Sequence, residues 1–299
     1  MLNEKDKAKI TLIGPPNSGK TTIKNVFFEM ANPLLLLQES LEPTKGVNTS
    51  QFSFFNLKLG IFDLAGQEND IWFSKETDIF KGSNLIICVF DISTPLDSIL
   101  HFLLDSLNLI SRLKLTSSKV VILLHKTDLV KLTYPELVIN FIKKQLEFRD
   151  LKTFNIPIYK TSIAKDYFFD SYNSIYKILS EIFEKYVSKI SIKEFNNLKM
   201  ELSIILKCKN SIKYYLEDIV KNLNLNYQNA KFHLNRLEHL GFIKYPIFEP
   251  FSFSLTERAY WFKMGLKKFK QISLDHEFKE GIEIIHTFLN LNRVYNSVS

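Results

Sequence analysis

The feature that most constrains this chain is a glycine-rich turn near its start. Gly14-Pro-Pro-Asn-Ser-Gly19-Lys20-Thr21 matches the pattern G-x-x-x-x-G-K-[ST]. The turn follows an apolar, strand-like run at residues 9–13 and precedes a helical stretch at residues 21–30. In this context, consecutive backbone N–H groups surround an anion at the positive end of the helix. The sequence therefore predicts a phosphate-binding loop after the first strand.

The residue types within this turn indicate separate tasks. Gly19 allows close approach of the backbone to a phosphate, Lys20 reaches the β- and γ-phosphates, and the Thr21 hydroxyl is a candidate Mg²⁺ ligand. Because Pro15 and Pro16 have no N–H to donate, the cradle rests on the amides of residues 17–22. The residues that we assign to nucleotide binding in this turn are Gly14, Asn17, Ser18, Gly19, Lys20, Thr21 and Thr22.

A second motif, Asp63-Leu-Ala-Gly66-Gln67-Glu68, follows a strand-like run and fits D-x-x-G. A carboxylate at the end of a strand can hold Mg²⁺ through a water molecule, and the Gly66 amide can report the γ-phosphate. Gln67 is placed to orient an attacking water because its amide both accepts and donates hydrogen bonds. Asp63 is thus a candidate metal ligand and Gln67 a candidate catalytic residue.

The loop between the first helix and the second strand supplies another hydroxyl. Pro43-Thr44-Lys45-Gly46 contains Thr44, which would ligate Mg²⁺ only when the γ-phosphate is present. Thr49 is the competing candidate, and we favour Thr44. We therefore place Thr44 among the metal ligands with Thr21 and Asp63, and among the catalytic residues with Lys20 and Gln67.

Two further segments are candidates for reading a base. His125-Lys126-Thr127-Asp128 follows the apolar run 119–124, and Asp128 can accept two hydrogen bonds from the N1 and N2 groups of guanine. Adenine lacks that pair of donors, so Asp128 favours GTP over ATP. Lys126 would lay its methylene stem on the base. Thr161-Ser162-Ile163 follows the last strand, so Ser162 and Ile163 can offer a backbone N–H to the guanine oxygen.

Taken in this order, the motifs resemble those of Ras-like small GTPases, and within them the Rag/Gtr family. His125 stands where the usual motif N-K-x-D has Asn, which looks like the Rag/Gtr version; Thr161-Ser162-Ile163 looks like that family too. Pro43-Thr44-Lys45-Gly46-Val47-Asn48 is more similar to the switch of Arf proteins. The resemblance covers about residues 8–186. It implies Mg²⁺-dependent binding of GTP and GDP, slow GTP hydrolysis and a switch that partner proteins read.

Alternation of apolar runs with helical stretches predicts an α/β fold, a P-loop GTPase with a mostly parallel sheet and helices on both faces. The strand pair at 51–57 and 58–63 predicts one antiparallel edge. The other expected strands are 9–13, 85–91, 119–124 and 156–160, and the expected helices are 21–30, 96–114, 135–148 and 167–186.

Past residues 188–197 the pattern changes, which predicts a small GTPase domain at 1–190, a second domain at 195–272 and a C-terminal helix at 273–299. The second domain shows helices at 198–208, 214–223 and 227–240, a hairpin at 242–255 and another helix from Thr256. That order, helix-turn-helix followed by a hairpin, resembles bacterial and archaeal winged-helix regulators. Rag/Gtr proteins carry instead a roadblock-type dimerisation domain, which this segment does not resemble.

The net charge of +7 is concentrated in the second half. We expect effector and regulator proteins, such as exchange or activating proteins, as partners, and the winged helix as a docking or dimerisation module. A homodimer or heterodimer is one alternative. The other is a nucleotide-gated DNA-binding transcriptional regulator, with Asn226, Gln228, Asn229, Lys231 and Arg236 at the nucleic acid and Lys244 on the wing. On the following helix, Lys263, Lys267, Lys268 and Lys270 predict a solvated basic face.

The remaining sequence features exclude several classes. Cys88 and Cys208 are too few and too far apart for a disulfide framework. No apolar run reaches the roughly 18 residues of a membrane span. The sequence also lacks signal-peptide and lipid-attachment patterns. We therefore expect a cytoplasmic protein with no transmembrane segment or lipid anchor.

Overall fold

The computed structural model describes residues 7–39, 41–54, 57–149, 151, 156–182, 192–249 and 251–273. Within these residues, six strands form one sheet in the order β2-β3-β1-β4-β5-β6. The strands are β1 (Lys7–Ile13), β2 (Val47–Phe54), β3 (Leu57–Leu64), β4 (Leu85–Asp91), β5 (Lys119–His125) and β6 (Ile158–Lys160). Only β2 runs antiparallel to its neighbour, as the edge strand beside β3. The predicted mostly parallel sheet with one antiparallel edge is confirmed.

Helices cover both faces of this sheet. They are α1 (Lys20–Ile23), α2 (Pro33–Gln38), α3 (Asn69–Ser74), α4 (Leu96–Arg112), α5 (Tyr134–Phe148) and α6 (Phe168–Ile182). Strand β4 shows why both faces need cover, since its apolar side chains alternate between two cores. Leu85, Ile87 and Val89 join the core on the α6 side, whereas Ile86, Cys88 and Phe90 join the core on the α4 and α5 side.

The first helix differs from its prediction. After α1, residues Lys24–Phe28 continue as a π-helical turn in which the Glu29 amide donates to the Lys24 carbonyl at 3.1 Å. Helix α2 was not predicted at all. It begins because the Asn32 side chain accepts a hydrogen bond from the Leu34 amide at 3.0 Å, and because Pro33 suits the first helical position.

The C-terminal part forms helices α7 (Ile192–Lys207), α8 (Leu216–Leu223), α9 (Tyr227–His239) and α10 (Glu257–Ser273). Three short strands, β7 (Tyr214–Tyr215), β8 (Ile243–Lys244) and β9 (Ser252–Leu255), pair in the order β7-β9-β8. The predicted helix start at 214 is wrong, because residues 214 and 215 pair with β9 before α8 begins. The predicted helix at 273–299 lies outside the described residues, apart from the end of α10 at Ser273.

Two predictions about charges in this part are also corrected. Arg236 points to the buried carboxylate of Glu201, with Nε 2.8 Å from Oε1, so its charge is already paired within the protein. Lys263 donates to the Cys208 carbonyl at 2.6 Å and is not part of a solvated face. Side chains 267, 268 and 270 lie outside the described ones.

The C-terminal part packs directly on the sheet domain. At Gly265 of α10, an added Cβ would lie 2.1 Å from the Phe169 Cβ of α6, so only glycine permits this approach. The rings of Phe168 and Trp261 meet at 5.9 Å between centroids, and those of Phe169 and Phe262 at 5.2 Å. One apolar core therefore runs from the sheet into α10. No helix in the described part of the chain has both the length and the hydropathy of a membrane span.

Candidate functional site

The predicted motifs meet at the carboxyl edge of the parallel strands, where doubly wound sheets bind ligands. A cavity of about 360 Å³ opens there. It is lined by residues 16–22 after β1, by part of the segment 36–44, which begins within α2, and by Gly66, Gln67 and Lys126. Residues that lie far apart in the sequence are thus brought to one pocket.

The loop after β1 folds around the side chain of Lys20. The ammonium group donates to the carbonyls of Gly14 at 3.0 Å and Pro15 at 2.9 Å and is almost completely buried. Burial lowers the pKa of Lys20 to about 8, while the nearby Asp63 acts in the opposite direction. The Ser18 Oγ is buried without a hydrogen-bond partner. A ligand with oxygen acceptors would satisfy both groups.

Gly19 lies where this loop packs against His125, at the end of β5. Its φ of 95° lies in the left-handed region, and an added Cβ would lie 2.3 Å from Cδ2 of His125. Asn17 also has a positive φ, 59°. Both the backbone conformation and the close approach of the imidazole therefore require glycine at position 19.

Two hydroxyls and one carboxylate gather beside this loop. The Thr21 Oγ1 donates to Asp63 Oδ2 at 2.6 Å and lies 2.9 Å from the Thr44 Oγ1, which is 3.5 Å from the same carboxylate oxygen. The second oxygen of Asp63, Oδ1, is buried and unpartnered, and burial raises the pKa of this carboxyl group. Thr49 instead lies exposed in β2, opposite Phe62. Hard oxygen donors with one unsatisfied carboxylate oxygen suit Mg²⁺.

The two segments that carry Thr44 and Gln67 are tied together. The Ala65 amide donates to the Gly46 carbonyl at 2.9 Å, and the Gly46 amide donates to Glu68 Oε1, also at 2.9 Å. Gly66 packs so tightly on the first loop that an added Cβ would lie 2.7 Å from Lys20 Nζ. The Gln67 side chain is exposed at the rim of the cavity.

The side chains of Asn69 and Trp72 hold the segment that carries Gly66 and Gln67 through hydrogen bonds to its backbone carbonyls. The Asn69 side-chain amide donates to the carbonyls of Gly66 at 2.6 Å and Gly14 at 3.2 Å. The indole of Trp72 donates to the Ala65 carbonyl at 3.0 Å. No role was predicted for Asn69 or for Glu68, although Glu68 directly follows Gln67 of the D-x-x-G motif.

The residues that we predict to read the base follow β5 and β6. Asp128 Oδ1 accepts a hydrogen bond from the Ser162 hydroxyl at 2.5 Å, which holds the carboxylate beside the segment after β6. Lys126 donates to Asp91 at 2.7 Å and to the Asn17 carbonyl at 2.8 Å, so it spans the cavity toward the first loop. Asp91 was not predicted as a site residue, although its position at the carboxyl end of buried strand β4 could have identified it.

His125 is buried between the loop after β1 and the segment after β6. Its Nδ1 lies 3.1 Å from the Thr161 Oγ1, and burial, assisted by the charge of Lys126, lowers the pKa of the imidazole to about 4. The ring is therefore neutral at neutral pH. The Ser162 amide donates to the Ser171 hydroxyl at 2.7 Å, and the Ala164 amide donates to the Ser162 hydroxyl at 2.9 Å.

Comparisons with known proteins agree with these motifs. A family profile for the Gtr1/RagA G protein conserved region matches residues 9–239. The GTP-binding protein GTR1 of Saccharomyces cerevisiae is 27% identical over 218 residues, which cover 69% of this chain and 67% of that protein.

Two other relatives widen the comparison. The Ras-related GTP-binding protein A of Dictyostelium discoideum is 28% identical over 203 residues, or 64% of this chain and 61% of that protein. The tRNA modification GTPase MnmE of Helicobacter acinonychis is 22% identical over 239 residues, or 75% of this chain and 50% of that protein. The chain thus spans between half and about two thirds of the length of these relatives.

Proposed function

The chain belongs to the Gtr1/RagA family of small GTPases, and from that premise we propose that it is a guanine-nucleotide switch. It binds GTP and GDP together with Mg²⁺ at the cavity after β1 and hydrolyses GTP slowly. The observation that carries this proposal is that the hydroxyls of Thr21 and Thr44 meet at Oδ2 of Asp63, near the buried ammonium of Lys20, while the second oxygen of this carboxylate, Oδ1, is buried without a partner.

The phosphates are bound by the loop after β1. Residues 17–22 line the cavity at the start of α1, and Lys20 adds a positive charge whose pKa is lowered by burial. Binding of a triphosphate replaces the two carbonyl acceptors of Lys20 with charged oxygens. Such charge-assisted hydrogen bonds are about twice as strong as neutral ones.

Thr21, Thr44 and Asp63 would hold Mg²⁺, which would neutralise phosphate charge and so lower the barrier to phosphoryl transfer. Thr44 and Gly66 sit on the two segments that are joined through Gly46, Ala65 and Glu68. We infer that these two segments are the switch regions, ordered by GTP and released after its hydrolysis.

Guanine is recognised by Asp128, which accepts hydrogen bonds from N1 and N2. Ser162 orients this carboxylate, and Lys126 is held across the cavity by Asp91 and the Asn17 carbonyl. We assign the backbone donor for the guanine oxygen to Ile163, because the amides on either side, Ser162 and Ala164, already donate within the protein.

Hydrolysis is slow because the described lining of the cavity does not supply every group that stabilises the transition state. Gln67 is available to orient the attacking water, but none of the described residues that line the cavity is an arginine that could stabilise the transition state. Unaided relatives turn over at about 10⁻⁴ per second, and an arginine supplied by a partner gains several orders of magnitude. A protein partner is therefore part of the proposal.

The second domain, residues 195–272, serves as the docking module behind the GTPase domain of residues 1–190. The order α8, α9, β8, β9, with β7 as a third strand, fits a winged helix. Arg236 and His233 of α9 face the buried Glu201, so this helix presents few charges that could neutralise DNA phosphates. We therefore favour protein docking over DNA reading, in a cytoplasmic setting.

Equilibrium binding of a fluorescent GTP analogue, with Mg²⁺ and with a chelator, tests the proposal. We expect Lys20→Ala to abolish binding and the exposed neighbour variant Lys45→Ala to leave it unchanged. Chelation should weaken binding, because the metal ligands then face phosphate without the cation. Equal binding by Lys20→Ala and the unaltered protein would overturn the proposed site.

A further inference from the structure

The turn between β8 and β9 carries a cluster of exposed apolar side chains. Ile247, Phe248 and Phe251 expose 91%, 95% and 82% of their surface. We call these three residues the hairpin tip. Isolated apolar side chains are common on protein surfaces, but three large ones on a single convex turn mark a surface that contacts an apolar environment.

Backbone hydrogen bonds close parts of this turn. The Glu249 amide donates to the Pro246 carbonyl at 3.2 Å, and the Ser252 amide donates to the Glu249 carbonyl at 3.1 Å. Lys213 lies 2.8 Å from both carboxylate oxygens of Glu249, the acidic residue of the turn. The hairpin tip therefore projects beside an acidic residue, Glu249, whose charge is matched by Lys213.

Partly exposed apolar residues continue the surface on the neighbouring strand. Tyr215 of β7 pairs with Ser252, directly beside Phe251, and Ile212 lies next to the lysine that binds Glu249. These two side chains expose 48% and 43% of their surface. An aromatic ring with a polar hydroxyl at the edge of an apolar projection is typical of residues that lie at a membrane interface.

The charge of this part of the chain complements an anionic surface. Residues 192–273 contain 14 Lys and Arg side chains and 7 Asp and Glu side chains, so the entire net charge of +7 resides there and the rest of the chain is balanced. Lys244, at the end of β8 just before the turn, is exposed, and so is Lys209 in the segment before β7. Basic residues near a membrane surface are attracted to anionic lipids within about a Debye length.

We propose that the hairpin tip inserts into the interface of an anionic lipid bilayer and that the surrounding lysines contact its headgroups. Lipid is favoured over nucleic acid because Ile247, Phe248 and Phe251 gain little from phosphate, whereas burial in the acyl boundary removes their surface from water. The proposal is independent of the nucleotide cavity, which lies at the carboxyl edge of the large sheet.

A single tryptophan can report this insertion. The chain has two tryptophans, Trp72 and Trp261, each only 4% exposed. Phe248→Trp therefore adds one exposed indole to a buried background. With vesicles of phosphatidylcholine and about one third phosphatidylserine, we expect a blue shift of its emission and quenching by brominated acyl chains. An unchanged emission spectrum would contradict the proposal.

Vesicle co-sedimentation of the full chain measures how much the hairpin tip contributes to lipid binding. We expect the triple variant Ile247→Ser, Phe248→Ser, Phe251→Ser to lower the partition coefficient at least about tenfold, because partitioning scales with buried apolar area. The matched control Leu132→Ser, Phe148→Ser removes two side chains that are 80% and 87% exposed elsewhere, and should bind like the unaltered protein.

The outcomes separate the possible partners. Undiminished sedimentation of the triple variant, or equal sedimentation with vesicles of phosphatidylcholine alone, would overturn the proposal. Retention of labelled duplex DNA that depends on the hairpin tip would assign the surface to nucleic acid instead. GTP binding measured on the same preparations is expected to be the same for every variant, so failure of the lipid proposal is distinct from failure of the nucleotide site.

Discussion

The guanidinium of Arg258, in the first turn of α10, donates a hydrogen bond to the backbone carbonyl of Val26 at 2.8 Å. Val26 lies in the π-helical turn that follows α1. Arg258 is 1% exposed, contacts the Tyr172 hydroxyl, and lies 4.8 Å from the centroid of the Tyr172 ring. One residue of the C-terminal part thus satisfies a buried carbonyl in the helix that begins at the phosphate-binding loop.

Replacement of Arg258 should destabilise the whole chain. Arg258→Ala leaves the Val26 carbonyl buried without a donor and opens a cavity among aromatic rings, so we expect a loss of about 3 kcal/mol in the free energy of unfolding. Urea denaturation measures this loss. The exposed control Arg149→Ala should stay within about 0.5 kcal/mol of the unaltered protein. Equal stability of the two variants would mean that Arg258 does not join the two parts.

Thr44 and Thr49 can be distinguished by the same substitution. Thr44→Val removes the hydroxyl beside Thr21 and Asp63, so we expect about tenfold weaker binding of GTP with Mg²⁺ and little change for GDP, since this ligand is required only with the γ-phosphate. Thr49→Val places a good strand former in β2 and should change neither affinity. Titration with fluorescent GTP and GDP analogues gives both values. The reverse pattern would transfer the role to Thr49.

Gln67 is expected to act in hydrolysis and not in binding. Gln67→Leu removes the amide that orients water but leaves Lys20 and Thr21 in the cavity lining, and the separate carboxylate of Asp128, intact. Single-turnover hydrolysis should slow by at least about tenfold, with nucleotide affinities unchanged. An unaltered rate would exclude Gln67 from the chemical step, and a parallel loss of affinity would indicate a structural role.

His125 should make stability depend on pH. The pKa of its imidazole falls from 6.5 to about 4 on folding, so between these values the unfolded chain binds a proton that the folded chain does not. Stability from this residue is therefore complete above pH 6.5 and declines as the pH falls toward 4. The His125→Asn variant lacks this pH-dependent contribution. The difference in thermal stability between the unaltered protein and the variant should therefore decrease as the pH is lowered from 6.5 toward 4. A difference that does not change with pH would contradict the buried neutral ring.

Much of the sheet and the order of the motifs could be predicted from the sequence, because both depend on local patterns. Strand β4 is apolar throughout since both of its faces are buried, and the phosphate-loop and D-x-x-G motifs each follow a strand. Helix α2 escaped prediction because its apolar run of leucines has no clear period, and its start depends on a single Asn32 cap.

Contacts between distant residues could not be predicted. Arg258 and Val26 are 232 positions apart, and nothing local distinguishes this arginine from one in a solvated helix. The same holds for Asp91 and Lys126, 35 positions apart. Tyr214 and Tyr215 fit the pattern of a strand as well as that of a helix. Only their pairing with β9 shows that they form the short strand β7 and not the start of a helix.

We propose that the carboxylate of Asp128 selects guanine in a Mg²⁺-dependent nucleotide site. The most direct test is competition for a bound fluorescent GDP by GTP and by ATP, on the unaltered protein and on Asp128→Ala. We predict that GTP displaces the probe at least about a hundredfold more effectively than ATP, because adenine leaves the Asp128 carboxylate without its two donors. Asp128→Ala should bind neither guanine nucleotide measurably. Displacement by ATP as effective as that by GTP would contradict the account.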